Sequence, residues 1–390
     1  MISQEQIQTL EGQQTPFYFY DLTLLDGTLE ALNAALKTHP DFRVHYAMKA
    51  NVNRPILERI HQAGLGADCV SGGEIARALE SGFTPAEVVF AGVGKSDAEI
   101  TFGLEKGIFC FNVESVQELS VIADLAASHN KTATIALRLN PNLDAGTHHY
   151  ISTGKVENKF GIPVADLDAA LETIKASPSL HLAGLHTHIG SQITDLGVFE
   201  RLCQKYNGIV SWFEDQGVRL EHLNVGGGLG IDYRDPDSHA ICDFQTYFDL
   251  FGRYLGRREG QLLHFELGRA IVGQCGNLIT QVLYTKHGEQ KSFAIVDAGM
   301  TELIRPALYQ AYHHIENLSA TEGLRKYDVV GPVCESSDFF GKDVPLPETN
   351  RGDLIAVRSA GAYGEVMTSH YNLRQIRPAM YWDGSGIVEE

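Results

Sequence analysis

The sequence predicts an α/β protein, a closed (β/α)8 TIM barrel followed by a second, C-terminal β domain. Three observations carry that expectation. Eight short apolar runs alternate with helical patterns over ~230 residues, the count and length of such a barrel. No dinucleotide-type glycine fingerprint follows the first run, which disfavours an open, doubly wound sheet. After residue 273 helical patterns become scarce, and strand-like runs are joined by glycine- and proline-rich connections. The expected division is a barrel over 38–272 and a β domain over 273–390, which the N-terminal segment 1–37 joins.

The N-terminal segment holds one strand-like run, Phe17-Tyr18-Phe19-Tyr20. A helical pattern follows, with Asp21 as N-cap and apolar positions at Leu24, Leu25, Leu29, Leu32 and Leu36. The barrel runs are 43–47, 66–70, 87–91, 109–113, 133–139, 182–189, 222–225 and 262–267. They are rich in β-branched and aromatic residues and bounded by turn formers. Helical patterns between them cover 54–63, 73–80, 97–105, 116–127, 164–175, 199–214 and 244–255. Several close on glycine (Gly64, Gly82, Gly107, Gly217), the residue that most easily takes the left-handed helix stop. Beyond the barrel, 278–285, 292–297, 327–330 and 353–358 read as strands.

With 390 residues the chain exceeds what one hydrophobic core usually organises, in keeping with two domains. No apolar stretch approaches the ~20 residues of a membrane span. Residues 1–15 are polar and lack the basic-then-apolar pattern of a signal peptide. A formal net charge of −18 argues against nucleic acid or an anionic membrane as partner. Cysteines at 69, 110, 203, 242, 275 and 334 show no Cys-x-x-Cys spacing. No metal site is therefore expected, and the thiols are expected reduced, in the cytoplasm.

Barrel chemistry is read from what ends each strand, because barrel active sites are built there. The first barrel run ends in Tyr46-Ala47-Met48-Lys49-Ala50-Asn51, and the second carries Asp68. The sixth ends in His186-Thr187-His188-Ile189-Gly190-Ser191-Gln192, the seventh in Gly226-Gly227-Gly228, the eighth in Glu266-Leu267-Gly268-Arg269. Singly, each has a plain structural explanation: a solvated lysine, core histidines, a tight turn, a rim salt bridge. Together they describe a site for one cofactor. Glycines let backbone N–H groups approach a phosphate closely, and Ser191 can add a hydroxyl donor. His188 can lie flat on an aromatic ring, Glu266 can accept from a protonated ring nitrogen, and Lys49 can supply a Schiff-base amine. Phosphate, pyridine and aldehyde are the parts of pyridoxal 5'-phosphate. A carboxylate partner keeps the ring nitrogen protonated, which favours decarboxylation over racemisation.

These motifs, with Gly331-Pro332-Val333-Cys334-Glu335-Ser336, resemble the diaminopimelate decarboxylases in order and spacing over essentially the whole chain. The resemblance implies the alanine racemase-like, fold-type III architecture and a homodimer with active sites shared across the interface. It implies that Lys49 anchors the cofactor, that His188 stacks on its ring, and that Gly227, Gly228, Ser191, Gly268, Arg269 and Asp68 line its site. Glu266 would pair with the ring nitrogen, and Cys334 would be the acid that reprotonates the α-carbon, reaching the site from the partner subunit with Glu335. Tyr363 would lie near phosphate and substrate. Arg269, Arg305 and Tyr309 would bind the end of the substrate remote from the reaction. A guanidinium fork there suits a distal carboxylate.

The implied reaction converts meso-2,6-diaminopimelate to L-lysine and CO2, the last step of lysine biosynthesis. The alternatives are a decarboxylase of another acidic-tailed amino acid, carboxynorspermidine or a carrier-linked glutamyl group, or a non-catalytic homologue that binds a partner protein. Two departures stand out: Leu267 where the family usually has proline, and Ser337 where glycine is commoner before the aspartate. Neither removes a reacting group.

Overall fold

The computed structural model describes residues 2–141, 143 and 159–388. The chain divides into two compact units. One comprises Leu29–Gly230 and Asp243–Gly268; the other comprises Met1–Thr28, Ile231–Cys242 and Arg269–Glu390. The divisions thus fall at 28/29 and 268/269 where the sequence suggested 37/38 and 272/273, and Ile231–Cys242 groups with the β-rich unit. Composition does not mark that short excursion.

The first strand, β1 (Phe17–Asp21), belongs to the β-rich unit. The next eight close the parallel barrel: β2 (Phe42–Ala47), β3 (Gly66–Cys69), β4 (Val88–Phe90), β5 (Cys110–Val113), β6 (Ala133–Arg138), β7 (Leu180–His186), β8 (His222–Asn224) and β9 (Leu262–Leu267). Ring closure is made by β2 and β9, paired from Phe42↔Leu263 to Tyr46↔Leu267. Leu267 therefore still belongs to the ladder, a position that suits a residue with an N–H.

Three of the helices between the strands start on serine caps. Ser71, Ser96 and Ser115 each accept the N–H of the glutamate three residues on. Gly107 stops the helix Asp97–Lys106 at φ +70°. On the outside of the barrel Phe265 packs against Phe42, Tyr247, Phe248 and Phe251, with ring centroids 4.9–5.6 Å apart. Burying each such side chain contributes about 1.5–3 kcal/mol.

The barrel interior is polar in layers. His45, His222 and His264 are buried beside Phe109, with His45 Nε2 3.1 Å from His264 Nδ1 and the His222 and His264 rings stacked at 4.7 Å. Two residues on along the same strands, hence on the same face, come Ala47, Asn224 and Glu266.

The β-rich unit continues with β10 (Gly276–His287), β11 (Ser292–Val296), β12 (Ile315–Asn317), β13 (Arg325–Val330), β14 (Phe339–Leu346), β15 (Leu354–Val357), β16 (Met380–Trp382) and β17 (Ile387–Val388). Its sheet runs β14-β13-β11-β10-β1-β16-β17, with β15 also on β10 and β12 on β15. The N-terminal strand sits inside this sheet, antiparallel to β10 and parallel to β16. Strands β12, β14, β16 and β17 were not expected from the sequence. Three are only two or three residues long, and β14 is interrupted by Gly341, Asp343 at φ +52° and Pro345.

Candidate active site

Lys49 lies in a single 3-10 turn, Met48–Ala50, immediately after β2. Its Nζ donates to Asp68 Oδ2 at 3.2 Å from the end of β3, and the lysine side chain remains half exposed while Asp68 is buried. Burial and the charge of Glu266 push the Asp68 carboxyl up to about 7, against the pull of Lys49. Two residues that the sequence singles out on separate strands are thus in direct contact.

Glu266, on β9, is buried and accepts three hydrogen bonds: Asn112 Nδ2 at 3.0 Å and Asn224 Nδ2 at 2.8 Å on Oε1, His186 Nε2 at 3.0 Å on Oε2. Burial pushes this carboxyl up, but the His186 ring with its hydrogen bond and the charge of Lys49 outweigh it, and Glu266 is held well below the usual carboxylate range. An ionised carboxylate offers about four acceptor positions. The three donors leave one for a further N–H.

The glycine run follows β8 directly. A Cβ at Gly227 would run into the carbonyl oxygen of Glu266, and one at Gly228, at φ +110°, would meet the carbonyl oxygen of Gly190 at 2.7 Å. Only glycine fits here, because the turn passes so close to two neighbouring backbones. Ile193 N–H donates to Gly228 O at 2.8 Å, which fixes the loop carrying Ser191 against the run. His188 accepts the Gly227 N–H on Nδ1 at 3.2 Å. Burial, with the charges of Arg138 and Lys49, holds its ring well below the usual histidine value, so it is neutral with its proton on Nε2. Gly268 is buried just past β9.

Arg269, Arg305, Tyr309 and Tyr363 belong to the β-rich unit and form a group of their own. The Arg269 guanidinium lies 4.9 Å from the Tyr363 ring centre and donates to Tyr233 Oη. Arg305 lies 5.9 Å from the Tyr233 ring centre and 5.7 Å from that of Tyr309. Both arginines are buried, and among the described residues no carboxylate pairs with Arg305, whose Nε has no hydrogen-bond partner. Burial lowers the Arg305 pKa and the charge of Arg269 lowers it further. Tyr363 holds φ +56°, a left-handed backbone that costs a side-chain-bearing residue about 1–2 kcal/mol. His313 completes the group; burial, then Arg305 and Arg269, push its ring down to about 3.

Cys334 and Glu335 are exposed at the tip of a turn that Asp338 braces, accepting Val333 N–H at 2.7 Å and Met300 N–H at 2.6 Å. Glu335 Oε1 accepts from Tyr371 Oη at 2.8 Å. Among the described residues neither Cys334 nor Glu335 shares a hydrogen bond with the arginine group.

Sequence reasoning missed Asn112, Asn224, Tyr233 and His313. The signal available for Asn224 was its place at a strand end directly before Val225-Gly226. The residues present fit pyridoxal phosphate: a backbone cradle that side chains would fill, an ionised buried carboxylate with an acceptor position left, and a half-exposed lysine held by an acid.

Comparison with known proteins agrees with this geometry. Residues 26–273 match the pyridoxal binding domain of the pyridoxal-dependent decarboxylases. The chain is 55% identical to diaminopimelate decarboxylase of Bacteroides thetaiotaomicron, over 93% of this chain and 94% of that protein. It is 43% identical to the diaminopimelate decarboxylase of Neisseria meningitidis serogroup B, over 96% and 89% respectively. The crystal structure of Helicobacter pylori diaminopimelate decarboxylase complexed with L-lysine superposes with a TM-score of 0.92 at 40% identity, covering 98% of this chain and 95% of that one.

Proposed function

We propose a diaminopimelate decarboxylase mechanism from the premise that the chain belongs to the pyridoxal-dependent decarboxylases and, among them, to the diaminopimelate decarboxylase family. The enzyme converts meso-2,6-diaminopimelate to L-lysine and CO2: one C–CO2 bond breaks and a proton takes its place. Pyridoxal phosphate, when bound, supplies an electron sink for the pair left behind by CO2.

The chain's own residues do the rest. Lys49 would hold the cofactor through its amine, and Asp68 holds that amine at the barrel mouth. Gly227, Gly228 and Ser191 bind the phosphate, with Gly268 and Tyr363 beside it. Glu266, kept ionised, holds the ring nitrogen's proton. His188, kept neutral, covers the ring face without adding a second positive charge. Arg269 and Arg305 take the distal carboxylate, with Tyr309 and Tyr363 as their aromatic walls. Glu335 meets the distal ammonium. Cys334 Sγ delivers the proton to the α-carbon, and it does so as Cys334 of the partner subunit in a homodimer. The free thiols suit the cytoplasm, and no helix among the described residues is long and apolar enough to cross a membrane.

The observation that carries the substrate reading is Arg305, a buried guanidinium that no carboxylate among the described residues pairs with. A buried cation lacking a partner is costly, so it favours a ligand that brings one. CO2 release from meso-diaminopimelate, ornithine, arginine and carboxynorspermidine tests the reading. Diaminopimelate is expected to be preferred; preference for any of the other three overturns it.

A further inference from the structure

We propose that Asn224 is a positioning residue that locks together the two ends of the cofactor site, the ring-nitrogen acceptor and the glycine turn. The inference rests on the reading that Glu266 and the turn at 226–228 hold pyridoxal phosphate.

Asn224 ends β8 and is 1% exposed. Both halves of its side-chain amide are used. Nδ2 donates to Glu266 Oε1 at 2.8 Å, and Oδ1 accepts the Gly226 N–H at 2.8 Å. The amide is planar, so the carboxylate and the turn cannot shift independently of each other. Its own backbone is held too, the carbonyl accepting from Thr187 N–H at 2.9 Å and Tyr206 Oη at 3.3 Å. The turn needs this tie. Gly226 sits at φ +67°, packed so tightly that a Cβ would meet Thr187 O at 2.5 Å and His188 Nδ1 at 2.8 Å.

Asn112 provides an internal comparison. Its Nδ2 donates to the same Glu266 oxygen at 3.0 Å, while its Oδ1 is buried without a hydrogen-bond partner. Of the three side chains that donate to Glu266, Asn224 is the one whose side chain also reaches the turn. Aspartate keeps the acceptor for Gly226 but sets a second carboxyl against Glu266 in place of the amide donor, which repels that carboxylate or shares a proton with it and so disturbs the ring end alone; alanine loses both contacts.

The test reads two signals from holoenzyme: the absorbance maximum of the bound cofactor for the ring end, and its phosphorus-31 resonance for the phosphate end. Asn224→Ala is expected to displace both and to raise the cofactor dissociation constant about tenfold or more. Asn224→Asp and Asn112→Ala are expected to displace the absorbance maximum alone. An unmoved phosphorus resonance in Asn224→Ala, or one equally moved in Asn112→Ala, overturns the proposal. Should Asn224→Ala fail to fold by circular dichroism, Asn224→Asp decides: any outcome other than a displaced absorbance with the wild-type phosphorus signal is contrary. Wild-type protein lacking both signals overturns the cofactor reading and this proposal with it. Wild-type signals with an unresponsive Asn224→Ala overturn this proposal alone.

Discussion

Asp68 and Glu266, both buried in the barrel, are driven in opposite directions. Glu266 is ionised more readily than an unfolded glutamate, so its contribution to stability is present above its unfolded value of 4.5 and is lost as pH falls through the folded one. Asp68 is the reverse. Its carboxyl rises from 3.8 to about 7, so its contribution is full below the unfolded value and disappears as pH rises to about 7. In apoenzyme, the thermal midpoint of Asp68→Asn should therefore gain on that of wild type as pH rises from 4 to 7; a curve parallel to wild type would refute the assignment. Two further side chains have sharp expectations. Cys334→Ala should lower kcat by about 10²- to 10⁴-fold, the usual worth of a positioned acid, with the cofactor band unchanged. Arg305→Ala should raise KM for diaminopimelate about 10- to 100-fold, the cost of losing charge-assisted hydrogen bonds worth about 1.5–3 kcal/mol. Steady-state kinetics on each variant decides both, and an unaltered KM would return Arg305 to a structural role.

At the scale of elements, the histidine layer inside the barrel is an acid liability. Burial lowers His45, His264 and His222, the last to about 3, so all three stay neutral in the folded barrel. Their contribution is full above the unfolded value near 6.5 and is lost as pH falls through their lowered folded values, about 3 for His222. His222→Phe keeps a ring in the space that Gly184 leaves and removes one titrating group. Its thermal midpoint should fall less than that of wild type between pH 6.5 and 4; an equal fall would place the acid sensitivity elsewhere. The same elements show what a sequence can and cannot convey. Barrel strands were legible within a few residues because short runs rich in β-branched and aromatic residues, bounded by turn formers, alternate regularly with helical patterns, even where the barrel interior takes a polar residue. β14 was not legible, since Gly341, Asp343 and Pro345 break its pattern and only its partner β13 sustains it. Lys49, His188 and Glu266 were legible because a reactive group at a strand end already suggests chemistry. Asn112 and Asn224 were not: a neutral amide acquires meaning only when the barrel closes and sets it beside Glu266.

For the whole molecule, the proposed homodimer with shared sites makes a quantitative prediction. If Lys49 and Cys334 of one site come from different subunits, Lys49→Ala and Cys334→Ala proteins, each inactive alone, should regain activity when mixed and allowed to exchange. Random pairing gives hybrids one intact site of two, so recovery should approach about a quarter of wild type. No recovery, with exchange verified by tagged subunits, would put both residues on one chain. A different consequence lies in β1. This strand is made before the other described strands, yet its ladder partners are Gly276–His287 and Met380–Trp382. At about 5–20 residues per second, its last partner is made roughly 20–70 s after it. Through that interval Phe17, Tyr18, Phe19 and Tyr20 are an unpaired aromatic edge while the eight barrel strands are already being completed. Vectorial synthesis thus makes the barrel the early folding unit and leaves the β-rich unit to seal last, with its oldest strand the most exposed to wrong pairing and to chaperones.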